Sequence, residues 1–351
     1  MNRFLKILSA CFCSVLFLLT VLPAAADFTL NADEYDSLSA AVDAIPADAG
    51  NVTVYLFGKR SDTEEPPVMI PADRGIMKLS MLPAPDQETV SLDGVTRICA
   101  NGVPLMLGSG IRMDNASIYG GACVSGTEAS LASSELWIGG AVGFVFGGGL
   151  AEDGGTSIVT ETNVTVEEGA LVYFEIFGGG QASGTGSRVF TESANTILSG
   201  ETAYLLGAGY AENGGTSECI RTTVLVKEKG SVAVALFGGG SAADEHSFSS
   251  VDSSFTQLYG SAHWAFPGDF AFGGGETRLN RAGRLEILAT GSVSEVYLGS
   301  FSSDPGSNAF MNTAELMNCG IAGTEFRRSQ SADGGEAKTQ VTAVFPCRAD
   351  E

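Results

Sequence analysis

Two spacings of apolar residues divide this chain. Near its start, "DSLSAAVDAI" places Leu38, Ala41, Val42 and Ile45 at i, i+3, i+4 and i+7. That spacing predicts one short amphipathic helix, with Asp36 or Ser37 as N-cap and Pro46 closing it. After about residue 50 no helical period lasts ten residues, and alternation takes over. "NVTVEE" from Asn163 and "TVLVKE" from Thr223 alternate apolar with polar positions, as strands with one buried face do. "LVYFEIF" from Leu171 and "SVAVALF" from Ser231 are denser. They alternate if Val172, Phe174 and Ile176, and likewise Val232, Val234 and Leu236, point inward. Tyr173 and Glu175 then point out.

The strands recur. "YGGA" begins at Tyr119, "FGGG" at Phe146 and Phe177, "LGAG" at Leu206, "FGGG" again at Phe237 and Phe272, and "LGSF" at Leu298. A second register agrees: "GLAEDGGTSIVTETNVTVEE" from Gly149 pairs without gaps with "GYAENGGTSECIRTTVLVKE" from Gly209, with eleven of twenty positions identical. Successive starts thus mark a unit of about 30 residues holding two or three short strands, which matches one coil of a parallel β-helix. The expected fold is therefore all-β, a right-handed parallel β-helix with a short N-terminal capping helix. It divides into an irregular entry over 27–118, repeated coils over 119–301 and closing coils over 302–351. "SSDPGSN" at 302–308 reads as a loop.

The glycine clusters read as corners. They offer positive φ where a turn needs it and let the next backbone come close, while Phe146, Phe177, Phe237 and Phe272 stack as a ladder. A phosphate loop would require a following helix whose N-terminus meets the anion. "QASGTGSRVF" is polar and then strand-like, and the third glycine of a G-x-G-x-x-G is missing.

The entry "SLSAAVDAI", then "IPADRGI" at 70–76, "CANGVPLMLGSGIRMDNASIYGGA" at 99–122 and the "FGGG" coils carry a resemblance. The chain resembles the secreted bacterial right-handed β-helix proteins of the pectin-lyase-like fold, and among them the glycine-rich, adhesin-like surface members. The resemblance spans roughly residues 35 to 301. It implies a scaffold, and it implies an exported protein that binds at a surface.

Composition narrows the partners. Residues 1–26 read as a signal peptide: Arg3 and Lys6 precede the apolar "FCSVLFLLTVL", and Ala24-Ala25-Ala26 offers a cleavage site. No membrane span is expected in the mature chain. With 19 basic against 41 acidic residues and a formal charge of −22, nucleic acid and anionic membranes are poor partners, since both reward Lys and Arg. Export would leave five cysteines, Cys99, Cys123, Cys219, Cys319 and Cys347. The separations of Cys99 from Cys123 and of Cys319 from Cys347 approach one coil, which stacks each pair on neighbouring turns. Cys219 matches Val159 in the aligned repeat and reads as a small packed residue.

Candidate chemistry is sparse. Pectin-degrading enzymes of the resembled fold use paired acids with a His or a basic residue. Here His246 lies in the corner loop "ADEHS", and His263 lacks a Gly-His-Gly setting. Arg188 and Arg221 have no acids at a diagnostic spacing, and the pair Glu167-Glu168, read as strand, would split across two faces. Glu152, Asp153 and Glu212 fall at matching corners beside glycines and form a candidate Ca²⁺ site. Phe144, Tyr204 and Phe270, in one column with Glu175 and Ala235 and with Tyr173 alongside, form a candidate exposed aromatic stripe able to meet a glycan or an extracellular protein. The function this favours is a non-catalytic, adhesin-like or surface-structural protein. A polysaccharide lyase or glycoside hydrolase on the same scaffold is the alternative.

Overall fold

The computed structural model describes residues 27–58 and 65–347, so the predicted leader lies outside the described residues. The chain winds as a parallel β-solenoid of about ten turns of about 29 residues. Three parallel sheets run its length: a long sheet of 12 strands, a middle sheet of 11 and a short sheet of 8. One regular coil reads Leu150–Glu152 on the short sheet, Thr156–Val166 on the long sheet and Leu171–Phe177 on the middle sheet. Near the start, Leu38–Asp43 is an α-helix capped by Ser37, whose hydroxyl accepts from the Ala40 N–H at 3.0 Å. Leu38, Ala41, Val42 and Ile45 are all fully buried.

Each long strand is bent. Val159, Thr162, Val164 and Val166 are buried, but Thr160 and Glu161 between them are both exposed, and the neighbouring strand makes no pair at Thr160. The half after the bend faces the middle sheet across the main core, which holds Val164, Val166, Val172 and Ile176. The half before it faces the short sheet across a thinner layer of Ala151, Ala182 and Val189. Where these layers meet, the glycine corner presses against the bend. Ser134, Thr162, Thr222 and Ser254 each donate a hydroxyl across the lumen to the carbonyl of Gly147, Gly178, Gly238 or Pro267, at 2.5–2.6 Å. A Cβ on Gly178 would meet the Gly207 carbonyl well inside 3.0 Å and the Thr196 hydroxyl at 3.0 Å.

That contact bears out the close approach expected of the glycine corners, while the positive φ expected there is corrected. None of Gly178, Gly179, Gly180, Gly238, Gly239 or Gly240 has positive φ; close approach alone excludes a side chain. The left-handed backbone occurs instead at the corner between short and long strands, as at Asp153-Gly154 and Asn213-Gly214.

The repeat unit is two coils. Tyr119, Phe146, Phe177, Leu206, Phe237, Phe266, Tyr297 and Phe326 occupy equivalent places. Beyond Phe146 a longer step and a shorter one alternate strictly, so only every second coil repeats the same spacing. The longer coils carry a four-residue corner after the long strand, at 167–170, 227–230 and 288–291, where the shorter coils carry two residues, such as Ser199-Gly200. These longer corners stand out as teeth, and Lys229 reaches Glu168 on the neighbouring tooth at 3.1 Å. Glu167 and Glu168 thus belong to a corner and not to a strand. At the opposite corner, Ser187, Ser247 and Ser307 follow one another at two-coil intervals. They accept from the N–H groups of Gly154, Gly214 and Gly274 at 2.8–3.0 Å.

Two disulfides, Cys99–Cys123 and Cys319–Cys347, join adjacent coils near the two ends, and Cys219 is a buried free thiol. The segment read as a loop at 302–308 is one of the regular corners, flanked by strands Phe301–Ser303 and Asn308–Asn318.

Candidate functional site

Outside the glycine corner, the outward side chains of the middle and short sheets converge on a buried apolar cluster, so the two sheets meet there at a concave angle, the groove. Val145 and Ile176 point into the main core, so their neighbours Phe146 and Phe177 turn outward onto the groove floor. The floor is a stacked ladder. Ring centroids lie 4.8 Å apart for Tyr119–Phe146, 4.9 Å for Phe146–Phe177, 4.7 Å for Phe237–Phe266 and 4.6 Å for Tyr297–Phe326. Leu206 fills one rung. Phe272 does not belong: it sits on the short sheet opposite Ala243, because its "FGGG" is the counterpart of the "AENGGT" corner. Phe266, followed by Pro-Gly-Asp, takes the rung assigned to it.

Side chains of both sheets wall this floor. On the middle sheet Phe144, Glu175, Tyr204, Ala235, Trp264 and Glu295 form one column in register. Phe144, Tyr204 and Trp264 are half-buried against the ladder. Phe270 is not in this column. It lies on the short sheet, paired with Ser241 and Phe301, and faces the floor ring Phe237 at 5.3 Å. The groove therefore contains Phe270, but on its other wall, behind Tyr210, which covers Phe177 at 5.4 Å. Phe174 also departs from the expected parity. An irregularity in the pairing between Val172 and Glu175 turns Phe174 outward, 44% exposed and stacked on Phe144 at 4.8 Å. Tyr173 is tied down by Arg112, which donates to its hydroxyl and to Asp114 at 2.9 Å.

Sequence reasoning missed Tyr210, Trp264 and Phe301. The signal was present, because one long step plus one short step leads from Phe144 to Tyr204 and on to Trp264. The same double step leads from Leu150 to Tyr210 and Phe270. Tyr204 with Tyr210, and two coils on Trp264 with Phe270, thus hold equivalent places on the two walls, about 10 Å apart at the ~4.8 Å spacing of paired strands; two coils earlier the places hold Phe144 and Leu150.

The groove carboxylates differ in their surroundings. Glu152 pairs with Arg97 at 3.1 Å, and Glu212 accepts from Gln181 at 2.9 Å. The Tyr119 hydroxyl donates to the same glutamine at 2.5 Å. Burial pushes Glu175 up to about 7, and no other group offsets that shift. The candidate Ca²⁺ ligands are not gathered. Ser183 separates Glu152 from Glu212 in the column, and Asp153 accepts from Ser125 at 2.7 Å. Among the described residues no group of three His, Cys, Asp or Glu could hold a metal ion.

His246 lies in a corner at φ 70°, and His263 is exposed on its strand, stacked on Trp264 at 5.5 Å. Arg188 pairs with Glu218 at 2.5 Å, and Arg221 lies 3.9 Å from Glu192. No helix among the described residues is long and apolar enough to cross a membrane.

Compared with known protein families, curated proteins and solved structures, the chain matches none.

Proposed function

We propose that the chain is an exported, non-catalytic, adhesin-like or surface-structural β-helix protein whose concave groove holds an extended glycan. The observation carrying this reading is the repeat of an aromatic pair after two coils, from Tyr204 and Tyr210 to Trp264 and Phe270. That interval, about 10 Å from the strand spacing, is close to the length of a disaccharide, so a sugar chain running along the rod meets equivalent rings at equivalent sugars. Burying one sugar face on a ring is worth about 1–2 kcal/mol at ~25 cal/mol per Å². Affinity would accumulate over several rings. Two disulfides suit an oxidising compartment and so support export. The resemblance to adhesin-like proteins of the pectin-lyase-like fold supports the same reading.

A glycan array with the mature chain, followed by calorimetry on Phe174→Ala and Tyr204→Ala, tests it. Both variants should lose at least several-fold in affinity for whichever glycan binds. Phe174→Ala should leave the melting temperature nearly unchanged because its ring is so exposed. Tyr204→Ala should lower it modestly, because that ring also covers the ladder. Unchanged affinity in both variants would remove the groove from consideration, and turnover of pectin or alginate by the parent would favour the lyase or hydrolase alternative.

A further inference from the structure

Glu175 is the groove's unmatched charge. Among the described residues, Glu152 has Arg97, Glu212 has Gln181, and Glu295 accepts from the Tyr297 hydroxyl at 2.5 Å. Glu175 sits in its column between Phe144 and Tyr204, one coil to either side, with the exposed Phe174 beside it and Phe177 two residues on. Across the groove Tyr210 stacks on Phe177 at 5.4 Å. A carboxylate with no cation beside it and Phe144, Phe174 and Tyr204 for neighbours is electrostatically incomplete, and an organic cation completes it by ion pairing while its apolar part packs on the exposed Phe174. An inorganic cation does not suit the place, because hard ions require six or more oxygen ligands and no acid cluster able to hold one occurs among the described residues. An organic ammonium needs a single carboxylate and tolerates rings.

Resting on the groove reading above, we infer that the ligand is a sugar chain bearing free amino groups, with one ammonium seated against Glu175 and the sugar faces against Phe174 and Tyr204. The chain's excess of acidic residues, 41 against 19 basic, favours the approach of such a polycation. A lysine-rich peptide offers the charge without the flat face. An N-acetylated sugar offers the face without the charge.

This difference defines the experiment. Calorimetry at about pH 7, where the Glu175 carboxyl is about half ionised, compares a glucosamine tetramer, an N-acetylglucosamine tetramer and tetralysine on the mature protein, on Glu175→Gln and on Glu175→Ala, the last following Ala235 of the same column. The expected result is at least tenfold tighter binding of the free-amine sugar than of its acetylated counterpart. Both Glu175 variants should erase that preference and leave binding of the acetylated tetramer unchanged. Equal binding of the two sugars, or a preference that survives in both variants, would overturn the role of Glu175 while leaving the groove as a glycan site. Tetralysine binding as tightly as the amino sugar would reduce the effect to bulk charge and overturn the sugar assignment. Binding of neither sugar would overturn this inference; groove variants that also leave array binding unchanged would overturn the reading beneath it.

Discussion

Asp269 puts a carboxyl group where the preceding coils carry glycine. Gly149, Gly180, Gly209 and Gly240 hold the equivalent places; here the carboxylate is fully buried. One oxygen accepts from the Gly240 N–H at 2.9 Å, and the other has no hydrogen-bond partner among the described residues. Burial pushes its pKa up to about 7, only partly opposed by that one N–H. The unfolded chain would titrate near ~3.9. A folded pKa above the unfolded one means that the stability of the neutral form is fully present below about pH 4 and is lost as pH rises toward 7. Three pH units at about 1.4 kcal/mol each make the loss about 4 kcal/mol. Urea melts of the parent and of Asp269→Asn should therefore agree near pH 4 and separate by up to about 4 kcal/mol at pH 8, with the asparagine variant more stable. Comparison at each pH cancels the other carboxylates, Glu175 included. Asp269→Gly should show the same pH-dependent separation on a lower baseline, because the bond to Gly240 is gone. A difference that stays constant from pH 4 to pH 8 in both variants would refute the reasoning.

Three further outcomes are expected. Gly178→Ala and Gly207→Ala should each destabilise by more than about 1 kcal/mol in thermal melts, since the new methyl meets a neighbouring carbonyl and a hydroxyl across the lumen; Gly154→Ala, open to solvent but at positive φ, should cost about 1 kcal/mol. Replacing both members of either disulfide by serine should cost about 3–4 kcal/mol on the chain-entropy estimate for loops of separation 24 and 28, read from urea melts. Cys219, buried and with its thiol pushed up to about 12 mainly by desolvation, should resist iodoacetamide in the native protein and react fully in denaturant.

The strands and the coil were legible because alternation and repetition are properties of the sequence alone. "NVTVEE" predicts its buried face correctly, with Val164 and Val166 inside. Val172 and Ile176 do the same for the denser strand, but Phe174 does not, since the strand shifts register beside it and strict alternation cannot anticipate such a shift. The glycine motif was legible as a corner and as a close approach, but the negative φ and the atoms crowding Gly178 were not, because those atoms come from Thr196 and from the following coil. The second wall of the groove was hidden for a related reason. Searching for "FGGG" places Phe272 on the ladder, whereas the two-coil step leads from Phe146 through Leu206 to Phe266. Local similarity misled where the longer translation would have succeeded.

That translation sets how such a rod can change length. Because long and short coils alternate, the lattice vector along the axis is two coils, about 10 Å, and not one. Duplicating or deleting one coil pair leaves each tooth beside its proper notch, Lys229 opposite its Glu168, and every wall residue of the groove in phase. A change of one coil would instead create a stacking fault: two protruding corners would meet without the notch between them, and Ser187 or its counterpart would lose the glycine N–H it accepts from. Rods of this kind should therefore exist in lengths quantised by the coil pair.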